Sequence, residues 1–324
     1  MTHAIQIYET GGPEVMKWEE VEVGEPGEGQ VKLRQTAVGL NFIDVYFRTG
    51  ASPQKNLPFT PGMEGAGEVI AVGNGVTHVK PGDRVAYAMA VGSYAEERIA
   101  PAERMVMLPD AIDDRTGAAM MLKGMTAAYL LLRTYKVGPG TTFLFHAAAG
   151  GVGLIVCQWA KHLGATMIGT VGSDEKAELA RSHGCAHTIN YTTEDFVARV
   201  KEITDGKGCD VVYDSVGKDT FPASLDCLKD FGLWATFGQS SGPLPELNLG
   251  ILAQKGALYV TRPGLFTHIA NRADLEELSG ALFDVVRNGA VKIEINQTYQ
   301  LSDAVQAHKD LEARKTTGST VLLT

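Results

Sequence analysis

From Thr141 onward the chain alternates short apolar runs with helix-like segments, and few folds can accommodate that rhythm. "TTFLFHA" precedes "GLIVCQWAKHLG", "ATMIGTVG" precedes "SDEKAELARSHG", "HTINY" precedes "EDFVARVKEITDG", "CDVVYDSVG" precedes "DTFPASLDCLKD", and "GLWATFG" follows. The strand-like runs are nearly continuous in apolar residues, as a strand must be when both faces of its sheet are covered. Parallel strands need long crossovers, and a helix is the usual one. The pattern therefore predicts an α/β fold with a doubly wound parallel sheet of the Rossmann type over residues 124–262.

The first crossover opens with Ala148-Ala149-Gly150-Gly151-Val152-Gly153, a GxGxxG phase in which alanine takes the first glycine position. Gly150 leaves room for backbone to approach a pyrophosphate, and Gly153 permits close packing of helix on strand. A helix starting near Gly151 points its unpaired N–H groups at a ligand, and Ala148 suits a turn without positive φ. An ordinary glycine turn would read similarly. The loop's place after an apolar strand, before a long helix and first in the repeat favours a dinucleotide. An NAD site commonly has an Asp or Glu at the end of the second strand, about twenty residues on. Here that end reads Val171-Gly172-Ser173. Without a carboxylate to repel a 2′-phosphate, and with Lys176 one turn further, the residues favour NADPH; the competing reading of Lys176 is a solvated lysine. Asp174 and Glu175 are expected to face solvent and favour the helix N-terminus.

At 324 residues with 44% hydrophobic side chains, the chain can bury two domain cores. "HAIQIYE", "QVKLRQTAVGLN", "GAGEVIAVG" and "DRVAYAM" read as short strands of a β-rich first domain, residues 1–123. "DDRTGAAMMLKGMTAAYLLLRTY" reads as helices broken at Gly117 and Gly124. A final segment opening with "ALYVTRPGLF" lacks the parallel rhythm. Its residues 263–324 are expected to return to the first domain, the alternative being further strands of the nucleotide-binding sheet. A formal charge of −9, without a dense Lys/Arg run, argues against nucleic acid and anionic membrane as partners. "MTHAIQIYETGGPE" has no signal-peptide pattern and no apolar run approaches membrane-spanning length, so a cytoplasmic protein is expected. Cys157, Cys185, Cys209 and Cys227 lack zinc-ribbon or redox spacing and read as free buried thiols.

"GLNFIDVYFRTG", "PFTPGMEGAGEVIAVG", "KPGDRVAY", "HAAAGGVG" and "VVYDSVG" occur in that order, and on them the chain resembles, over its whole length, the zinc-free, ζ-crystallin-like quinone oxidoreductases of the medium-chain dehydrogenase/reductase superfamily. The resemblance implies a GroES-like catalytic domain built from both chain ends, a Rossmann domain in the middle, an active site in the cleft between them, NADPH as coenzyme, and a homodimer. Zinc-containing relatives have Cys where this chain has Asn41 and His where it has Met63. Neither an amide nor a thioether is a good catalytic zinc ligand, and residues 80–110 hold no cysteine for a structural lobe, so no metal site is expected. A quinone or conjugated enone can accept hydride without a metal because the incoming electrons delocalise onto oxygen.

By the same resemblance, Asn41, Phe42, Ile43, Asp44, Val45 and Tyr46 line the nicotinamide end of the cleft, approached by Lys123, Thr126 and Tyr129. Asn41 reads as a polar orienter and Tyr46 as a stacking or hydrogen-bonding wall, against a core aromatic. Lys123 reads as a cation near developing oxyanion charge, against a domain-interface lysine, and Asp44 is either catalytic or locked into an ion pair, for instance with Arg48. The remaining coenzyme contacts carry over as Gly150, Gly151 and Val152 at the pyrophosphate, Gly172, Ser173 and Lys176 at the 2′-phosphate, and Tyr191 on the adenine side. Val216 and Gly217, then Phe237, Gly238, Gln239 and Ser240, end later strands, and Arg314 reaches the coenzyme across the cleft. Where relatives commonly carry a tyrosine after the "RTG"-like segment, "GASPQK" offers Ser52, and Met89–Gly92 is short, so no particular quinone is expected. The expected activity is NADPH-dependent quinone reduction. The alternatives are an NADPH-dependent alkenal or enone double-bond reductase and a non-catalytic NADPH- or mRNA-binding, crystallin-like protein.

Overall fold

A computed structural model describes residues 2–52 and 56–324; Pro53, Gln54 and Lys55 of the "GASPQK" stretch lie outside the described residues. The chain opens with β1 (Thr2–Ile7), β2 (Met16–Val21), β3 (Gln30–Leu40), helix α1 (Phe42–Thr49), β4 (Glu64–Val72), β5 (Arg84–Ala88), β6 (Glu97–Pro101) and β7 (Val106–Met107). Helix α2 (Asp114–Tyr129) runs into a π turn at Leu130–Thr134. Next come β8 (Thr142–Phe145), α3 (Gly151–His162), β9 (Thr166–Val171), α4 (Asp174–Ser182), β10 (His187–Asn190), α5 (Phe196–Ile203), β11 (Cys209–Asp214), β12 (Leu228–Thr236), α6 (Gly250–Gln254) and β13 (Tyr259–Thr261). Last are α7 (Leu265–His268), α8 (Arg272–Arg287), β14 (Ile295–Gln300), α9 (Ala304–Glu312) and β15 (Ser319–Leu323). Two compact units result, one of Met1–Met125, Ile269–Arg287 and Ile293–Thr324, the other of Thr126–His268 and Asn288–Lys292.

The central unit holds a parallel sheet in the order β10-β9-β8-β11-β12-β13. The order reverses at β8, so the crevice beyond the carboxyl ends of β8 and β11 is where such sheets bind ligands. Leu144, Ile168, Ile189, Val212 and Trp234 fill its core from successive strands. One sequence expectation needs correction here. "DTFPASLDCLKD" forms only a 3₁₀ turn, Ala223–Cys227, and Leu228 already starts β12. Pro222 contributes no N–H, and Thr220 and Ser224 turn their hydroxyls to Asp214, so this crossover is held by side chains rather than a full helix. "ALYVTRP" supplies β13, the edge strand of the parallel sheet, where Tyr259 and Val260 are exposed. All four cysteines are free and buried.

The other unit carries the β1–β2 hairpin and a mixed sheet in the order β14-β15-β3-β4-β5-β7, with β6 also on β3. Strand β15 lies beside β3, pairing Thr320 with Leu40 and Leu323 with Ala37. Ile5, Ile7, Val38, Leu40, Tyr94, Leu301 and Leu322 share one core, so distant parts of the sequence pack as neighbours. Helix α2 corrects the expected breaks at Gly117 and Gly124, since it continues through both. A Cβ on Gly117 would lie 3.1 Å from Leu108 methyls, and one on Gly124 would lie 2.5 Å from Leu282 Cδ1. Both glycines admit neighbouring side chains instead of interrupting the helix. Among the described residues no helix is long and apolar enough to cross a membrane, and no group of three or more His, Cys, Asp or Glu is arranged to hold a metal ion.

Candidate active site

Helix α1 starts where β3 ends, with Asn41 as its N-cap. Its apolar spacing leaves Phe42, Ile43 and Tyr46 partly exposed and buries Asp44 and Val45 beneath them. The Phe42 and Tyr46 rings lie 6.4 Å apart on that outer face. Asp44 is wholly inside. Its Oδ2 accepts the Asn41 backbone N–H at 2.9 Å, the carboxylate half of a capping box, and the Tyr94 hydroxyl at 3.1 Å. Burial pushes the Asp44 carboxyl up to about 7, with Glu64 adding to the rise while the Asn41 N–H, Tyr94 and Lys123 oppose it.

The Tyr94 hydroxyl also meets His308 Nε2 at 3.2 Å, and burial, then Arg48, lowers the His308 ring to about 3. Arg48 does not pair with Asp44 one turn away; it donates to Glu312 of α9 at 2.7 Å. Buried Arg48 thus ties the end of α1 to the last helix, and Asp44 is left with neutral donors.

Lys123 is equally committed. Its ammonium lies 2.7 Å from Glu64 Oε1, and the same oxygen accepts Asn41 Nδ2 at 2.8 Å. Glu64 Oε2 accepts the Leu122 N–H at 2.7 Å. Lys123 therefore stands as half of a buried ion pair, which reduces the net charge it can turn toward an oxyanion.

In the central unit the expected coenzyme residues converge on the carboxyl ends of β8 to β12. Gly150 precedes α3 with φ −79°, and no protein side chain caps the helix. A Cβ at Gly150 would meet only the Ala147 carbonyl, at 3.2 Å, whereas one at Gly153 would come within 2.4 Å of Ala148 O. The left-handed residue of the loop is Ala147 (φ 61°), so Ala148 needs no positive φ. The open start of a three-turn helix, with Gly151 and Val152 N–H groups unpaired within it, suits a pyrophosphate.

At the end of β9, Ser173 caps α4 by accepting from the Lys176 N–H at 3.3 Å. A Cβ on Gly172 would lie 2.7 Å from the Tyr191 hydroxyl, so Tyr191 packs against the loop that follows β9. Asp174 and Glu175 are exposed, and Asp174 accepts from Asn190 Nδ2 at 2.8 Å. Beyond β11, Val216 and Gly217 donate their N–H groups to Asp214 Oδ1 at 2.9 and 3.1 Å. Beyond β12, the Phe237 ring lies 5.7 Å from Phe145, Gly238 passes close to Ser215, the Ser240 N–H reaches Ser215 O at 3.2 Å, and Gln239 Oε1 accepts from Arg262 at 3.0 Å.

Thr126 and Tyr129 are buried near the end of α2, and Tyr129 stacks on His268 at 4.4 Å. Arg314 follows α9, exposed, with φ 58°.

Several residues escaped the sequence reading. Glu64 sits one position after Met63, Tyr94 and His308 lie far along the chain, and Asp214 stands just before Val216. Asp214 is a hub: Thr220, Ser224 and Trp234 also donate to it, and Ser224 passes the network to His146, which precedes the glycine loop and bonds Thr170. Only the "GME" and "DSVG" segments carried a local signal for any of these.

Residues 151–277 match the family described as zinc-binding dehydrogenase, and residues 27–136 match the alcohol dehydrogenase GroES-like domain. The chain is 53% identical to a quinone oxidoreductase of Pseudomonas aeruginosa, with all of both chains covered. It is 48% identical to a 2-haloacrylate reductase of Burkholderia, covering 100% of this chain and 99% of that one. A crystal structure of Escherichia coli quinone oxidoreductase complexed with NADPH superposes with a TM-score of 0.98 at 49% identity, covering 100% of each chain.

Proposed function

Since the chain belongs to the quinone oxidoreductase family of the medium-chain dehydrogenase/reductase superfamily, we propose that it is an NADPH-dependent, zinc-independent quinone reductase. The observation that carries this reading is full-length identity of about half to proteins named quinone oxidoreductase, one of them crystallised with NADPH. The residues fit that coenzyme: α3 begins without a side-chain cap, Gly150 keeps a side chain out of the approach to its N-terminus, and no carboxylate ends β9.

When bound, NADPH supplies the hydride, and quinone reduction needs in addition a proton and an orienting wall. Gly150, Gly151 and Val152 hold the pyrophosphate, and Gly172, Ser173 and Lys176 the 2′-phosphate, with Tyr191 against the adenine. Val216, Gly217 and Phe237–Ser240 flank the nicotinamide ribose, Asp214 fixing the first of these loops by two backbone hydrogen bonds. Asn41, Phe42, Ile43 and Tyr46 meet the nicotinamide and the acceptor, with Asp44 and Val45 supporting them from below. Lys123 acts through its pair with Glu64, Thr126 and Tyr129 complete the nicotinamide surroundings, and Arg314 contacts the coenzyme. Zinc independence is supported by donor chemistry, since Asn41 commits its amide to Glu64 and Met63 is a thioether. The nucleotide domain is proposed to span 124–262, flanked by catalytic segments 1–123 and 263–324. The protein is proposed to be a homodimer acting on a small molecule in the cytoplasm.

A second reading, reduction of an activated carbon–carbon double bond, is favoured by the relative named 2-haloacrylate reductase. Loss of NADPH or NADH absorbance would be followed with para-benzoquinone, an ortho-quinone and 2-chloroacrylate in turn. The expected result is fastest turnover with NADPH and a quinone. Selective turnover of chloroacrylate would replace the quinone reading, and coenzyme binding without turnover of any acceptor would favour the non-catalytic alternative.

A further inference from the structure

Glu64 is a fully buried carboxylate in a place prepared for it. Gly39 faces it across the β3–β4 pair, and a Cβ there would stand 2.3 Å from Glu64 Oε1 and 2.4 Å from Ala118 O. Three donors converge on Glu64: Lys123 Nζ and Asn41 Nδ2 on Oε1, and the Leu122 N–H on Oε2. The consequence falls on Asn41. A carboxamide can present either its NH₂ or its oxygen to a given neighbour, and the surrounding network decides which. Asn41 Nδ2 has Glu64 Oε1 at 2.8 Å and Gly39 O at 3.4 Å, and both are acceptors. Turning the amide over would place its oxygen against two oxygens and leave the Glu64 carboxylate short of a donor inside the protein. The N–H groups of Asn41 are thus engaged within the protein, and its oxygen, which in the capping box of α1 faces the Asp44 N–H, has a second lone pair to offer a ligand, so what Asn41 can present is an acceptor.

We propose that Glu64 is a positioning residue that fixes the Asn41 amide with its oxygen available, so that Asn41 accepts a hydrogen bond from the nicotinamide carboxamide rather than donating one to the quinone oxygen. The assignment rests on the reading that the nicotinamide of NADPH meets Asn41. It gives Lys123 a second task, as the counter-ion that keeps an acceptor-only carboxylate beside Asn41.

The test compares NADP⁺ with its 3-acetylpyridine analogue, in which a methyl group replaces the carboxamide NH₂, by calorimetric titration of the full-length protein. The native protein should bind NADP⁺ about fivefold or more tightly than the analogue, the effect of one ordinary hydrogen bond. Glu64→Gln, which brings an NH₂ of its own beside Asn41, should bring that ratio close to one. The exchange Asn41→Asp with Glu64→Gln keeps the net charge and reverses the donor: the amide introduced at position 64 donates to the carboxylate introduced at position 41, whose other oxygen still accepts. It should restore the ratio to within about twofold of native, a recovery possible only if the side chain at position 41 serves as an acceptor. General damage to the site would weaken both ligands together and leave the ratio alone.

An unchanged ratio in Glu64→Gln, or an exchange variant whose ratio stays near one, would overturn the assignment. If Glu64→Gln does not fold, the exchange variant alone decides between these outcomes. A native protein that binds neither compound would overturn the coenzyme reading itself, and the assignment with it.

Discussion

Asp44 and His308 lie one on each side of the Tyr94 hydroxyl, and burial moves them in opposite senses. The folded Asp44 titrates at about 7 against 3.8 for the free side chain, so between those values the folded protein holds more protons and loses stability as pH rises. The folded His308 titrates at about 3 against 6.5, so between those values the unfolded chain holds more protons and stability is lost as pH falls. The two slopes oppose each other across mildly acidic pH. Asp44→Asn should therefore leave the His308 slope uncovered, with Tm rising by more than about 3 °C from pH 4.5 to 6.5, while His308→Asn should show the reverse trend. Parallel Tm curves for the native protein and both variants, measured by scanning calorimetry, would exclude this balance. Little of this network was legible in the sequence. Asn41–Tyr46 could be picked out because they form one contiguous motif, but Tyr94 and His308 come to Asp44 only through the tertiary fold. Helical i,i+4 spacing suggested Arg48 for Asp44, and it failed because Glu312 offers Arg48 a carboxylate that is partly solvated.

The β8–α3 element shows what a loop motif does fix. Its glycine pattern forecast a turn without positive φ at Ala148 and a close helix start at Gly153, and both follow from backbone sterics that any strand–loop–helix of this length must satisfy. Gly153→Ala would place a methyl group against the Ala147 and Ala148 carbonyls, which cannot rotate away as a side chain can. The expected loss is about 1–3 kcal/mol in stability, read from the urea midpoint, with at least tenfold weaker NADPH binding as α3 shifts away from the loop. A variant as stable and as tight-binding as the native protein would show that α3 slides without penalty. Glycines inside α2 were misread because a breaker and a close contact look alike in one dimension. Leu282, which explains Gly124, lies on α8, and nothing in the local sequence announces it. The fourth crossover was misread for a related reason: its apolar spacing is helical, but hydroxyl groups bound to Asp214 hold it in a shorter path.

At the scale of the whole molecule, the parallel sheet ends in β13, whose Tyr259 is 62% exposed and Val260 36% exposed. An apolar edge strand of this kind is satisfied by pairing with a second copy about a two-fold axis. The proposed homodimer should appear in sedimentation equilibrium at twice the chain mass. Tyr259→Lys combined with Val260→Lys should reduce it to one chain by setting like charges against each other across the axis. A native protein that sediments as a single chain at micromolar concentration would remove the proposal. The strand–helix rhythm made the central unit readable from local pattern alone. The other unit was foreseen through family resemblance, since nothing local tells β15 that its neighbour is β3. That pairing also bears on how the protein is made. The ribosome releases β3 and Asn41 early, yet the strand that flanks them emerges last, after the entire nucleotide-binding sheet has had time to fold. Throughout synthesis the edge of β3 beside Leu40 waits without its partner, so that edge stays open to mispairing until β15 arrives, even though Glu64 and Lys123 can already hold Asn41 from the other side.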